Sequence, residues 1–222
     1  MENQVTVTIR KAAADDIGGI MGIEHLSFHS DVIESKKVFE DRIAVFSDGF
    51  LVAVADTGNE RKIAGYISSE LWAFSEGSEG SANIPYSNFN LNHSVYETHR
   101  DDGEELYISS VAVDPSFRGG QIGKKLFMGL LETIQRKYQP KSAILLVNGD
   151  WQNAYTMYQK EGFETVAVIP DFFPALENSG TGSSGTGSSG AGSSGTGSSG
   201  TYPSGTGIIM RKSLRDGSKS KT

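Results

Sequence analysis

Apolar and polar residues alternate through VTVTIR (5–10), the period-two pattern of a half-buried strand. Along DDIGGIMGIEHLSF (15–28) the period lengthens. Ile17, Ile20, Ile23 and Leu26 recur at three- to four-residue spacing and predict a helix despite three glycines. SKKVFEDRIAVF (35–46) opens on a Ser cap and carries Val38, Ile43 and Phe46, a second helix. FLVAVAD (50–56) and KIAGYISSELWAF (62–74), divided by the turn TGNER, predict a hairpin. A further strand, ELYISSVAVDP (105–115), ends at Asp-Pro, and Ile122, Leu126, Phe127, Leu130, Leu131 and Ile134 then mark one face of a helix. SAILLVN (142–148) is a continuous apolar run, predicting a strand covered on both faces, as in a parallel pairing. DWQNAYTMYQKEGF (150–163) reads as a helix capped by Asp150 and ended by Gly162, and TVAVIP and GIIMRKSL supply two last strands.

Two stretches interrupt this order. Residues 75–104 are polar and irregular, and a loop of that length inside a compact domain is more often functional than idle. Between the last two strands, 180–199 repeat GTGSS-GTGSS-GAGSS-GTGSS, a composition that cannot build a core and behaves as flexible coil. About 27 such residues span roughly 29 Å, more than a hairpin requires. Closing so long a loop costs only about 1–2 kcal/mol more than closing a short one, so the hairpin survives. Natural expansion and an engineered linker both account for the tract, and it is assigned no catalytic role. The organisation expected is one domain over 1–214, interrupted by a flexible 178–206 loop and followed by a disordered basic tail, 215–222.

Composition narrows the function. The 222 residues are 37% hydrophobic, enough for one sizeable core, and contain no cysteine. Disulfides, thiolate metal sites and a cysteine nucleophile are thereby excluded. MENQVTVTIRKAAADD has no apolar core of a secretory signal, and no stretch approaches the roughly 18 apolar residues of a membrane span. A cytoplasmic protein without membrane contact is expected. A net charge of −7 argues against nucleic acid as partner. The acidic run ETHRDDGEE (97–105) would instead attract a cation.

The chemistry concentrates in FRGGQIGKKLF (117–127), where a strand gives way to a helix. Glycines are kept where a chain turns sharply or approaches something closely, and a helix start offers unpaired N–H groups and a positive dipole end. That pairing suggests a phosphate. The same glycines also read as a simple turn before an amphipathic helix. A Walker loop fits worse, since it would need Gly at Arg118 and Ser or Thr at Lys125.

Element order and motif together resemble the GNAT superfamily of acetyl-CoA-dependent N-acetyltransferases. The phosphate-loop pattern of that family corresponds to Arg118-Gly119-Gly120-Gln121-Ile122-Gly123, and its Ala-x-x-x-Tyr-x-x-x-Gly-Phe landmark to Ala154, Tyr158, Gly162 and Phe163. The resemblance covers 5–173 and 207–214. It implies an α/β (α+β) fold: a mixed, mostly antiparallel sheet of about seven strands, splayed between strands 4 and 5 and flanked by about four helices. It also implies acetyl-CoA as co-substrate, without a metal. The amides of 119–124, with Lys124 and Lys125, would hold the pyrophosphate, and the main chain of Val111, Ala112 and Val113 would pair with pantetheine. Gln121 stands where the family has glycine. Taken as a helix-start residue of negative φ, it keeps its N–H available.

Acetyl transfer needs a neutral amine, a stabilised oxyanion and a proton for the departing sulfur. The resemblance points to Tyr158 for the proton, with Tyr155 near the same helical face as a competitor. The base is open. Bacterial ribosomal-protein N-terminal acetyltransferases, resembled in VIPDFFP and GIIM, carry a glutamate where this chain has Leu146. Glu105, His99 and Glu104 are the substitutes, with Glu105 foremost because it shares a face with Tyr107. The family asparagine that touches CoA is Trp151 here, leaving Asn153 nearby as the candidate contact. Phe172 and Phe173 align with an aromatic pair that holds peptide N-termini, and the repeat beside them either gates acceptor entry or hangs in solvent. The His25/His29 pair lacks a carboxylate at metal-binding spacing, and Ser109 and Ser110 lack a His/Asp partner. The function expected is direct transfer, in a ternary complex, to a peptide α-amine or a small amine or polyamine, by a monomer or homodimer. A non-catalytic acyl-CoA sensor is the alternative.

Overall fold

The computed structural model describes residues 5–74, 86–174 and 202–215. The repeat, the start of the 75–104 segment and the tail beyond 215 lie outside the described residues. Among the described residues seven strands form a single sheet: β1 (Thr6–Lys11), β2 (Phe50–Asp56), β3 (Arg61–Trp72), β4 (Glu105–Val113), β5 (Ser142–Asn148), β6 (Glu164–Ile169) and β7 (Gly207–Ser213). Their order across the sheet is β1-β2-β3-β4-β5-β7-β6, with the final strand inserted beside β5. Every neighbouring pair is antiparallel except β4 and β5. SAILLVN pairs in parallel with β4 and is covered on both faces, Ala143, Leu145 and Val147 in the cluster with α4 and Ile144 in a cluster with Trp72, Phe89 and Tyr107, as its unbroken apolar run requires.

Five α-helices accompany the sheet among the described residues: α1 (Ile17–Ser27), α2 (Lys36–Val45), the single turn α3 (Val95–Thr98), α4 (Ile122–Tyr138) and α5 (Gln152–Lys160). Strand alternation sorts them onto two faces. Leu51, Ala53, Ile67 and Leu106 pack against Leu126, Phe127, Leu130 and Ile134 of α4, with Tyr158 of α5 in the same cluster. On the opposite face Phe50, Val52, Tyr66 and Ala112 meet Ile17, Ile20 and Ile23 of α1 and Phe39 of α2.

Local details depart from the sequence reading. Leu26 belongs to the apolar pattern of α1 yet is 59% exposed, whereas Glu24 is buried. The Ser35 and Asp150 side chains do not cap their helices; the Asp150 carboxylate instead accepts from the Ser204 hydroxyl and the Gly205 N–H. Gly162 does end α5 in the left-handed region, at φ 85°.

Two irregularities in β4 position the site. A register shift opposite Ser68/Ser69 leaves Ser109 as an extra residue, a bulge whose hydroxyl lies 2.7 Å from that of Ser68. Pairing of β4 with β5 then stops: Glu105–Ile108 match Ser142–Leu145, and beyond them the two strands no longer pair. The sheet opens there.

Candidate active site

A cavity of about 120 Å³ occupies the opening. Its lining includes Tyr107–Val111 of β4, Leu145–Val147 of β5, and Ala154 and Tyr158 of α5. Glu24 and Phe28 enter from the α1 side, with Glu34, Asn90 and His93 beside them, and Trp151, Phe172 and Phe173 complete the wall. Glu24 and Tyr158 therefore reach one space from opposite faces of the sheet.

Burial raises the Glu24 carboxyl to about 7, with the nearby charge of Glu34 adding to the rise; a hydrogen bond from the Tyr66 hydroxyl and the charge of Arg42 oppose it. A carboxyl that titrates near neutrality can hold or release a proton at physiological pH. Burial pushes the Tyr158 phenol up, and its hydroxyl has no hydrogen-bond partner among the described residues. Tyr155 turns away: its hydroxyl lies 3.3 Å from Thr165 Oγ1 and accepts from Gln159.

Behind the cavity lies a buried ionic network. Arg42 forms a two-pronged ion pair with Glu34 and lies 3.4 Å from Glu70. Glu70 is pulled down to about 2 against its burial, by hydrogen bonds from His93 and Thr98 and by the charge of Arg42. The His93 ring bridges Glu70, at 2.7 Å, and the Asn90 carbonyl, at 3.0 Å. Asn92 donates its N–H to Glu34 and receives that of Ser35 on its side chain. These bonds tie the 89–93 wall to α2 and β3.

The candidate cofactor loop lies at the start of α4. Gly119 has φ 85° and Gln121 φ 58°. The expectation of a negative φ at Gln121 is corrected: it is the left-handed residue before the helix, where the family glycine would sit without strain. Helical bonding begins with Lys125 N–H to the Gln121 carbonyl, so the N–H groups of Ile122, Gly123 and Lys124 have no acceptor in the turn before them. A Cβ added at Gly123 would come no nearer than 3.6 Å to Val113, so the loop lies against the end of β4. Arg118 turns back to the Val113 carbonyl, and Lys124 pairs with Glu161 at 3.0 Å. A left-handed L-residue costs about 1–2 kcal/mol. Gln121→Gly is therefore expected to raise unfolding free energy by about 1 kcal/mol in urea titrations.

The residues singled out from sequence divide accordingly. Val111, Tyr158, Phe172 and Phe173 line the cavity, and Ala112 and Val113 belong to the unpaired end of β4. Arg118 to Lys124 form the loop at that end. Asn153 is exposed and does not line the cavity, where Trp151 stands between Phe28 (5.4 Å) and Phe173 (5.7 Å). Glu105 is not brought to the site. It lies at the paired end of β4, held by Ser142 and Arg211, with burial raising its carboxyl. His99 donates nothing to the cavity either; its Nδ1 accepts the Leu71 N–H and its ring packs on Phe46. Glu104 pairs with Lys141. The carboxylates at the cavity are Glu24 and Glu34, not those of 97–105. Glu24 was not among the residues singled out from sequence, and its signal was a carboxylate seven residues after Ile17 and four after Ile20, within the helical stripe.

The Acetyltransferase (GNAT) family model matches residues 23–163. Among solved structures, Ard1 from Thermoplasma volcanium is similar with a TM-score of 0.60 at 17% identity, covering 93% of this chain and 97% of that one. The ribosomal-protein-S18-alanine N-acetyltransferase from Escherichia coli gives a TM-score of 0.58 at 16% identity, covering 94% of each chain. At these identities the likeness is one of fold. Uncharacterized protein ML0378 of Mycobacterium leprae (strain TN) is 33% identical over 72 residues, 32% of this chain and 19% of that protein. The matched segment spans about a fifth of that relative's length.

Proposed function

Because the chain belongs to the acetyltransferase (GNAT) family, and so is an acyltransferase, we propose that it transfers acetyl from acetyl-CoA to a primary amine by direct attack in a ternary complex. The supporting observation is the cavity at the β4/β5 opening, entered by Glu24 from one face of the sheet and by Tyr158 from the other. The chain's features fit the co-substrate: free amides and glycine at the start of α4, an unpaired β4 edge, and an opening leading inward from both.

Acetyl-CoA supplies an activated thioester carbonyl when bound. The amides of Gly120 to Lys124 hold its diphosphate, and the main chain of Val111 to Val113 pairs with its pantetheine arm. Glu24, ionised above pH 7, accepts the ammonium proton and leaves the amine free to attack. The Val111 N–H polarises the carbonyl, Tyr158 gives its proton to the departing sulfur, and the second proton, shed by the attacking nitrogen as the amide forms, restores the phenol. Phe28, Phe172 and Phe173 surround the acceptor, which favours a primary amine joined to an apolar body, as at a peptide N-terminus.

A thiol-release assay over peptide and small-amine acceptors tests the activity. Tyr158→Phe is expected to lower kcat by about 10²-fold while leaving acetyl-CoA affinity intact. Unchanged turnover would remove Tyr158 from its role. Binding of acetyl-CoA without turnover on any amine would reduce the chain to a binding module.

A further inference from the structure

Tyr66 on β3 is fully buried, yet its hydroxyl is where two cavity-lining side chains meet. It hydrogen-bonds the Glu24 carboxylate and lies 2.8 Å from Ser110 Oγ. A phenol has one proton to give, and an ionised carboxylate can only accept. The proton therefore goes to Glu24, and Ser110 donates to the phenol oxygen. The ring cannot follow a turning carboxylate, because it packs edge-on against Phe39 at 5.6 Å and beside Phe50 at 6.0 Å.

We propose that Tyr66 is a positioning residue for acceptor deprotonation: without meeting the amine, it fixes the orientation of Glu24 and favours its ionised form through one buried hydrogen bond backed by Ser110. The inference rests on the reading of Glu24 as the base. The charged groups facing Glu24 leave this role open. Glu34, on the loop before α2, opposes ionisation, and Arg42 of α2 favours it. These two pair with each other, so Arg42 offsets part of the effect of the Glu34 charge on Glu24. Elsewhere on the cavity wall stand His93, engaged by Glu70, and the Tyr107 phenol. The Glu34 main-chain N–H also donates to the carboxylate, and Tyr66 is its side-chain donor.

Tyr66→Phe keeps the ring and removes only the hydroxyl. The acid limb of kcat/KM for the amine is expected to move up by about one pH unit, which is about tenfold in activity below pH 7. The KM for acetyl-CoA should not change. In the resting protein, the carbon-13 signal of the Glu24 carboxyl should titrate at correspondingly higher pH. Ser110→Ala should move both readouts the same way by a smaller amount, and it decides the matter if Tyr66→Phe does not fold. An unmoved carboxyl titration in the folded variant overturns the proposal. Glu24→Gln separates the two ideas: an acid limb that survives it removes Glu24 as base, whereas its loss together with an unmoved limb in Tyr66→Phe removes only the role of Tyr66.

Discussion

Glu24→Gln is expected to lower kcat/KM for the amine by about 10²–10⁴-fold at pH 8, the range lost when a positioned general base is removed. In the parent protein the rate should climb as pH rises through about 7, where the carboxyl ionises. That limb should vanish in the variant. Stability should move the other way. The folded-state value of Glu24 lies above the ordinary carboxylate range, so between about pH 4.5 and 7 the native chain binds more protons than the unfolded one. Stability from this group is then full at low pH and falls as pH rises towards 7. Gln has no charge to bury and can still accept from Tyr66. The variant should accordingly be more stable than the parent at pH 8, by an amount on the order of 3 kcal/mol. Chemical denaturation beside kinetics checks both signs. A variant that loses activity and stability together would make Glu24 a structural residue.

The elements and the glycine-rich turn before α4 were legible because each is written locally. The two-residue period of VTVTIR, the apolar run of SAILLVN and the glycines of 119–123 carry their structural meaning within a few residues. The chemistry of the acceptor end is not local. Glu34 meets Asn92 across 58 positions and Tyr66 meets Ser110 across 44, partnerships that only the assembled sheet creates. Glu105 and Tyr107 do share a face of β4, as their spacing requires, but β4 opens from β5 after Ile108, so only Tyr107 reaches the cavity. Where two strands part depends on the bulge at Ser109 and the register of β3, and neither is visible in an alternating pattern. Gln121 is a smaller case: its motif position was clear, while its left-handed φ follows from the path of the loop.

Arg42→Met should produce the largest loss of stability, about 3–5 kcal/mol, because it leaves buried carboxylates without their cation. Arg42 is 1% exposed, and the two carboxylates it faces, Glu34 and Glu70, are buried as well. Methionine fills much of the volume but supplies no donor, so the cost is electrostatic more than steric. Arg42→Lys keeps the charge, gives up the two-pronged geometry and should recover part of the loss. The same network explains why the effect should reach the acceptor and spare the co-substrate. Glu34 holds Asn92, and Glu70 holds His93 and Thr98, so loosening both frees the 89–93 wall. The loop before α4 draws on none of these bonds. KM for the amine should therefore rise in Arg42→Lys while the affinity for acetyl-CoA stays constant. Acid should mimic the lesion. Glu70 titrates well below its unfolded value, so its contribution is complete above about pH 4.5 and is lost as pH falls towards 2. Denaturation midpoints measured down this range should converge for the parent and Arg42→Met as protonation removes the charges that Arg42 balances. A loss below about 1 kcal/mol at pH 7 would mean that water or protons, not Arg42, neutralise these carboxylates.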